Sequence, residues 1–337
     1  MKGVMPDSRL NEAERGWQRR FSFAGFGFDR LLLLLLVTIV LSFALWSTRI
    51  RPDRIPMAPR SAALRAEPIM LAPDAAAPLR LVGAWRLSAD DPRFGGLSAL
   101  VLTKGRLLAP SDSGGLFRFD FPGPGSRSVA ISELPAGPGS PRFKENRDSE
   151  ALAADSSDGG WWVAFETRNE IWHFDAAFRR PTERLLFGRK RWPVNLGIEA
   201  MVADGDRLTL IPELAHEVVT VVGGKDYSRP LTGVGSKISD AVRLPDGKIL
   251  VLMREVGLTG FRNALGILVE RTDGWHVEQR VPLRVGALVN LEGLAVERRP
   301  GGAIRLWLVS DDNFQRPLET VLVALDLPPG GWPGRKD

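Results

Sequence analysis

The chain of 337 residues contains no cysteine, three histidines and a single tyrosine. Without cysteine there is no disulfide framework, no thiolate nucleophile and no Cys-ligated zinc site. The histidines are scattered at positions 173, 216 and 276, which argues against a His-rich transition-metal site. Excess charge of one sign is also scarce where it would matter. The net charge is +5, but residues 1–77 hold 11 Lys/Arg against 7 Asp/Glu, leaving 34 against 33 for residues 78–337. The globular part therefore lacks the basic footprint of a nucleic-acid binder.

Familiar catalytic signatures are missing too. No G-x-S-x-G elbow occurs, so an α/β-hydrolase triad has no support. The Gly-rich stretches follow neither a Rossmann nor a P-loop pattern. Asp112-Ser113-Gly114-Gly115 looks like the nucleophile segment of trypsin-like proteases, but every histidine follows Ser113 and Ser111 stands where a leading glycine is expected. The segment is better read as a hairpin turn.

What is present is β-rich. Glycine (35) and proline (25) are plentiful, and the hydrophobic fraction of 44% suffices for a large core. Many short strands joined by tight turns are the expected consequence.

The amino-terminal region differs. Residues 31–46 run without a charge from Leu31 to Trp46, enough for a helix of roughly 24 Å. The expectation is a single-pass signal anchor, with Arg30 and Arg49 snorkelling at its ends. A cleaved signal peptide with Ser42-Phe43-Ala44 as its processing site is the alternative. Six Lys/Arg precede the span and four follow closely, a bias that places residues 1–30 in the cytoplasm. Residues 47–77 read as a Pro/Ala-rich linker and 328–337 as a carboxy-terminal tail.

Between them a short polar–small–apolar pattern recurs. It reads Ser98-Ala99-Leu100, Glu150-Ala151-Leu152, Glu199-Ala200-Met201, Asp240-Ala241-Val242 and Glu292-Gly293-Leu294, at spacings of 52, 49, 41 and 52 residues. Propeller blades take ~40–50 residues each. Each copy is followed by a Gly-containing turn and a second β-rich run, a hairpin signal. Those runs end at Asp112, Glu166, Glu213, Arg254 and Asp311. An antiparallel hairpin returns its end to the edge where it began, so each signature residue should lie beside its terminal residue. An all-β, five- or six-bladed β-propeller over residues 78–327 follows, with Pro78–Leu87 closing the ring against Thr320–Leu327. A β-sandwich is the architectural alternative, although five such similar units are not expected there.

Radial hairpins would gather eight carboxylates, Arg254 and Ser98 on one face. Packed carboxylates repel, and burial opposes their ionisation. They can stay protonated, pair with Arg254, Arg147, Lys237 or Arg262, or coordinate a hard cation. Calcium takes six to eight oxygens in irregular geometry and suits such a ring. The same residues can instead serve only as turn caps repeated with the repeat.

The ordered series Gly-Leu-Ser-Ala-Leu, Ser-Asp-Ser-Gly-Gly, Asp-Ser-Glu-Ala-Leu-Ala, Asn-Leu-Gly-Ile-Glu-Ala-Met, Met-Arg-Glu, Asn-Leu-Glu-Gly-Leu-Ala and Ser-Asp-Asp-Asn-Phe resembles the phytase-like propeller domain over about residues 80–327. That family is described as having the esterase-like activity of phytase. The resemblance implies an exported bacterial protein, and the apolar run at 31–46 then places it at the inner membrane with its propeller in the periplasm, or secreted after cleavage. It also implies a small-molecule phosphate or other ester as substrate, and calcium as cofactor. The candidate catalytic carboxylates are Glu150, Glu166, Glu199, Glu213 and Glu292. The candidate metal ligands are Asp112, Asp240, Asp311 and Asp312, and the candidate substrate-binding cations are Arg254 and Lys237. Ser98 and Arg254 depart from the acidic series, so fewer calcium ligands are expected than in a phytase proper. A non-catalytic ligand- or protein-binding propeller at the envelope is the alternative function.

Overall fold

The computed structural model describes residues 33, 35–38, 56, 58–121, 127–187, 192–193, 196–214 and 216–333. The chain divides into two units, Met1–Pro52 and Asp53–Asp337. In the first, residues 33 and 35–38 are helical and their side chains are exposed. Among the described residues no helix is long and apolar enough to cross a membrane. The expected span at 31–46 lies largely outside the described residues.

The second unit begins earlier than expected. Strand β1 (Arg60–Pro68) falls within the expected linker and is followed by β2 (Arg80–Ala89). Five four-stranded blades complete the unit. The first holds β3 (Val101–Thr103), β4 (Arg106–Pro110), β5 (Gly115–Phe119) and β6 (Arg127–Glu133). The second holds β7 (Ser149–Ala154), β8 (Trp161–Phe165), β9 (Glu170–Phe174) and β10 (Pro181–Leu186). In the third are β11 (Ile198–Asp204), β12 (Arg207–Pro212), β13 (Glu217–Val222) and β14 (Lys225–Thr232). The fourth has β15 (Lys237–Arg243), β16 (Ile249–Gly257), β17 (Gly260–Arg271) and β18 (Gly274–Leu283). The fifth takes β19 (Asn290–Arg298), β20 (Ile304–Asp311) and β21 (Val321–Asp326), with β2 as its outer strand.

Ring closure is therefore shared by two ends of the chain. β2 pairs with β21 from Arg80↔Asp326 to Arg86↔Val321, as the sequence suggests. β1 then reaches across to the first blade, pairing with β2 on one edge and β6 on the other, and buries Leu64 to 5% exposure. The expected tail is also docked: Trp332 is buried and donates its indole N–H to the Gln279 carbonyl at 3.2 Å.

Five apolar clusters, one at each blade-to-blade contact, hold the ring. β20 shows how one strand serves two of them. Leu306 and Leu308 face the fourth blade while Trp307 and Val309 face the first. Side chains alternate along a strand, and a strand buried on both faces reads as a continuous apolar run. The run Leu-Trp-Leu-Val is such a case. A cluster at every one of five contacts defines a closed five-bladed β-propeller and leaves no place for a sandwich.

Strands β3, β7, β11, β15 and β19 are the innermost of their blades and surround a central channel. A cavity of about 250 Å³ fills it, lined mainly by apolar residues such as Leu152, Met201 and Leu294, with Arg243 and Arg298 at the far end.

Candidate functional site

Every inner strand enters the channel from the same end, which makes that end a mouth. Each of β7, β11, β15 and β19 carries a β-bulge just inside it, read from the register shifts at Ser149/Ala151, Ile198/Ala200, Ile238/Asp240 and Leu291/Gly293. The extra residues are Glu150, Glu199, Ser239 and Glu292. In the first blade the change from Leu97↔Ser111 to Val101↔Leu108 puts Ser98 in the same place. Bulges aim a side chain out of the ladder, here toward the mouth.

In the fourth blade the register shifts the repeat by one residue. The polar–small–apolar pattern equates Asp240 with the glutamates, but Ser239 is their structural equivalent. Ser98 and Ser239 do the same job. Ser98 Oγ donates to the Ser149 carbonyl at 2.6 Å, and Ser239 Oγ donates to the Leu291 carbonyl at 3.0 Å. A serine at the bulge thus stitches its inner strand to the next blade, whereas a glutamate at the bulge supplies charge.

Asp240 sits one step deeper and is 2% exposed. Its Oδ1 accepts the Ala241 N–H at 2.7 Å, its Oδ2 accepts the Leu294 N–H at 2.6 Å, and the Leu100 N–H also reaches it. Its oxygens serve backbone groups of the fourth, fifth and first blades. Asp312 is used likewise: Oδ1 accepts the N–H groups of Gly96 (2.9 Å) and Phe314 (3.1 Å), and Oδ2 accepts the Thr320 hydroxyl at 3.1 Å. The structure brings neither into the cluster of paired carboxylates, and each fastens blades together.

The strand-end residues Asp112, Glu166, Glu213, Arg254 and Asp311 converge beside the bulges. Two sets place one oxygen from each member within 4.8 Å of the others: Glu166, Glu199 and Glu213, and Asp148, Glu150 and Glu166. Glu166 belongs to both. Gly197 makes this approach possible, since a Cβ there would lie 2.8 Å from Glu166 Cα. Asp148, where the second blade enters the ring, escaped the sequence reading. Its signal was present in Asp148-Ser149-Glu150, two residues ahead of a bulged glutamate.

Cations rim the cluster. Lys144 Nζ lies 2.8 Å from Asp112 and 3.1 Å from Asp148. Lys237 pairs with Glu213, and Arg254 pairs with Glu292 at 2.5 Å while donating to Asn290 Oδ1 at 2.9 Å. Arg254 and Lys237 therefore stand where the sequence places them. Arg262 instead pairs with Glu255 on the surface, and Arg147 donates to the Pro138 and Asn146 carbonyls.

Eight carboxylates face three cations at this mouth among the described residues, and their acidities reflect it. Burial, then the charge of neighbouring acids, pushes Glu150 and Glu199 well above the usual carboxylate range. Burial and then Asp148 raise Glu166 to about 7, although a backbone N–H from Gly197 opposes this. Glu292 is raised by burial to about 7 against the pull of Arg254, and Asp311 by burial and Asp112 to about 8. Two buried oxygens, Glu213 Oε2 and Asp112 Oδ1, make no hydrogen bond among the described residues. A buried acceptor without a donor is costly unless something else satisfies it. An all-oxygen donor set with bare lone pairs in a ring of mutually repelling acids fits a hard dication such as calcium.

A five-bladed ring with an acidic mouth defines the class of protein. The chain belongs to the Phytase-like family, described as "Esterase-like activity of phytase", whose model matches residues 92–314. Among solved structures it is similar to a glutaminyl cyclase of Myxococcus xanthus, with 12% identity, 74% of this chain and 97% of that one covered, and a TM-score of 0.49. It is also similar to hydrazine synthase of Kuenenia stuttgartiensis, with 12% identity, 72% and 69% covered, and a TM-score of 0.37. No curated protein matches the chain.

Proposed function

We propose that the mouth is the active site of a calcium-dependent hydrolase acting on phosphate esters. The observation that carries this reading is the Glu166–Glu199–Glu213 set, three buried carboxylates within 4.8 Å and one of them with a bare oxygen. The family description supports the reading. Glu199, Glu213, Glu150 and Asp148 would hold the ions, which when bound neutralise phosphate charge and acidify water. Glu166 lies against both ligand sets and is placed to accept a proton from water held between them. Lys237 is half-exposed and lies at the rim with Lys144 and Arg254, where cations meet phosphate oxygens.

Purified full-length protein in detergent is expected to hydrolyse an aryl phosphomonoester in calcium and to stop in chelator. Equal turnover in chelator, or none in either, overturns the reading.

The same proposal places the propeller outside the bacterial inner membrane, tethered through residues 31–46, whose apolar run is the supporting observation. The protein should stay in the membrane pellet after alkaline washing and be shaved by protease added to spheroplasts. Release as a shorter soluble chain would instead establish a cleaved signal.

A further inference from the structure

At the opposite end of the second blade, away from the mouth, a separate group of ligand atoms comes together. The turn after β7 supplies Asp155 and Asp158, and β9 supplies His173. His173 Nε2 lies 3.4 Å from Asp155 Oδ2 and 3.5 Å from Asp158 Oδ1. The histidine is only 5% exposed, and its Nε2 makes no hydrogen bond among the described residues.

Three features point this nitrogen at a ligand. Its partner atom Nδ1 is 2.5 Å from Thr182 Oγ1, while that hydroxyl is within donating reach, 3.3 Å, of the His173 carbonyl. When Thr182 donates to the carbonyl, Nδ1–H donates to Thr182 and Nε2 presents a lone pair to two carboxylates. A hydrogen bond on the far nitrogen is what orients metal-bound histidines. Next, Gly160 leaves the space open, since a Cβ there would stand 2.6 Å from Nε2. Finally, the carboxylates are already held. Asp155 Oδ1 accepts from the Ser157 N–H and hydroxyl, Asp155 Oδ2 accepts the Trp162 indole N–H at 2.9 Å, and Asp158 Oδ1 accepts the Gly160 N–H at 2.7 Å.

The two histidine–carboxylate separations are close to those of one coordination geometry. Ligands 2.0–2.1 Å from a tetrahedral ion stand roughly 3.3–3.4 Å apart. Imidazole nitrogen and carboxylate oxygen are both zinc ligands, and three protein ligands leave a fourth position open to water. Asp155 also lines a cleft with Ser157, Trp162, Glu183 and Asp206, and Asp158 is itself exposed to solvent.

We propose that Asp155, Asp158 and His173 form a second, zinc-class metal site on the face of the propeller opposite the acidic mouth. It contains one histidine, so it does not contradict the scarcity of histidine in the chain.

Cobalt(II) tests this as a spectroscopic stand-in for zinc. Full-length protein in detergent, with excess calcium to occupy the mouth, should take up one equivalent with the intense visible absorption of a tetrahedral ion. Fluorescence of Trp162, whose ring centroid is 4.6 Å from that of His173, should be quenched in parallel, and zinc should displace the cobalt. Asp158→Asn and His173→Gln should lose the band and bind roughly tenfold more weakly or worse, whereas Glu199→Gln should keep both. Asp158 is exposed, so its variant should unfold in chelator at the parent temperature and can decide the matter if His173→Gln does not fold. Absence of the band, its persistence in Asp158→Asn, or its loss in Glu199→Gln overturns the proposal. The first outcome would mean that a proton on Nε2 is all that the carboxylates hold.

Discussion

Replacing Glu199 by glutamine should lower calcium-dependent phosphomonoester hydrolysis by ~10²-fold or more, the scale of a group lost from general acid–base or metal-assisted catalysis. The same change should stabilise the protein when calcium is absent. Glu199 is buried beside Glu292, Glu213 and Glu166, and both burial and those neighbours oppose its ionised form. Glutamine keeps the shape without the charge, so thermal unfolding in chelator at pH 8 should shift upward by the equivalent of ~1–3 kcal/mol. In saturating calcium the order should reverse, because the parent alone binds the ion tightly and binding stabilises the native state by mass action.

The pH dependence gives the sign independently. Glu166 is raised from 4.5 to about 7, so between those values the folded protein binds more protons than the unfolded chain. Stability in chelator should then fall as pH rises from about 4.5 through about 7, by on the order of 3 kcal/mol for this one group, and level off beyond. Calcium should flatten the slope. A Glu199→Gln variant less stable than the parent in chelator would show that the carboxylate serves the fold, and the active-site reading would lose its central residue.

Much of this arrangement was legible because repetition is legible. Spacings of 41–52 residues, a turn after each signature and a polar residue after each second run suffice for the five hairpins and for the strand-end set Asp112, Glu166, Glu213, Arg254 and Asp311. The closing strand β2 was legible for the same reason, as a β-rich run left without a blade. Elements outside the repeat were not. β1 contains Ser-Ala-Ala-Leu-Arg-Ala between prolines, a composition shared with linkers, and only its two partner edges make it a strand. Asp148 and Lys144 lie before the repeat's first recognisable residue. The acidity of a carboxylate was equally hidden, because burial and neighbours, not residue type, set it.

The one-residue slip at Asp240 is the instructive case, because a bulge cannot be seen in sequence. Ser239-Asp240-Ala241 offers two alignments to Glu199-Ala200, and only the register selects the serine. The consequence is the largest stability effect expected in the molecule. Asp240→Ala would strip acceptors from the N–H groups of three buried residues, Ala241, Leu294 and Leu100. Each orphaned donor costs ~1–3 kcal/mol, so the total should reach ~4 kcal/mol or more, among the largest values for a single substitution. Asp240→Asn keeps one acceptor and should fall between the two. Because Asp240 serves backbone groups rather than the mouth, the folded fraction of either variant should retain the parent's calcium requirement and turnover. Chemical denaturation with a calcium titration measures both quantities. If Asp240→Ala folds with parental stability yet loses its response to calcium, the residue is a metal ligand after all and the register argument fails at its most specific point.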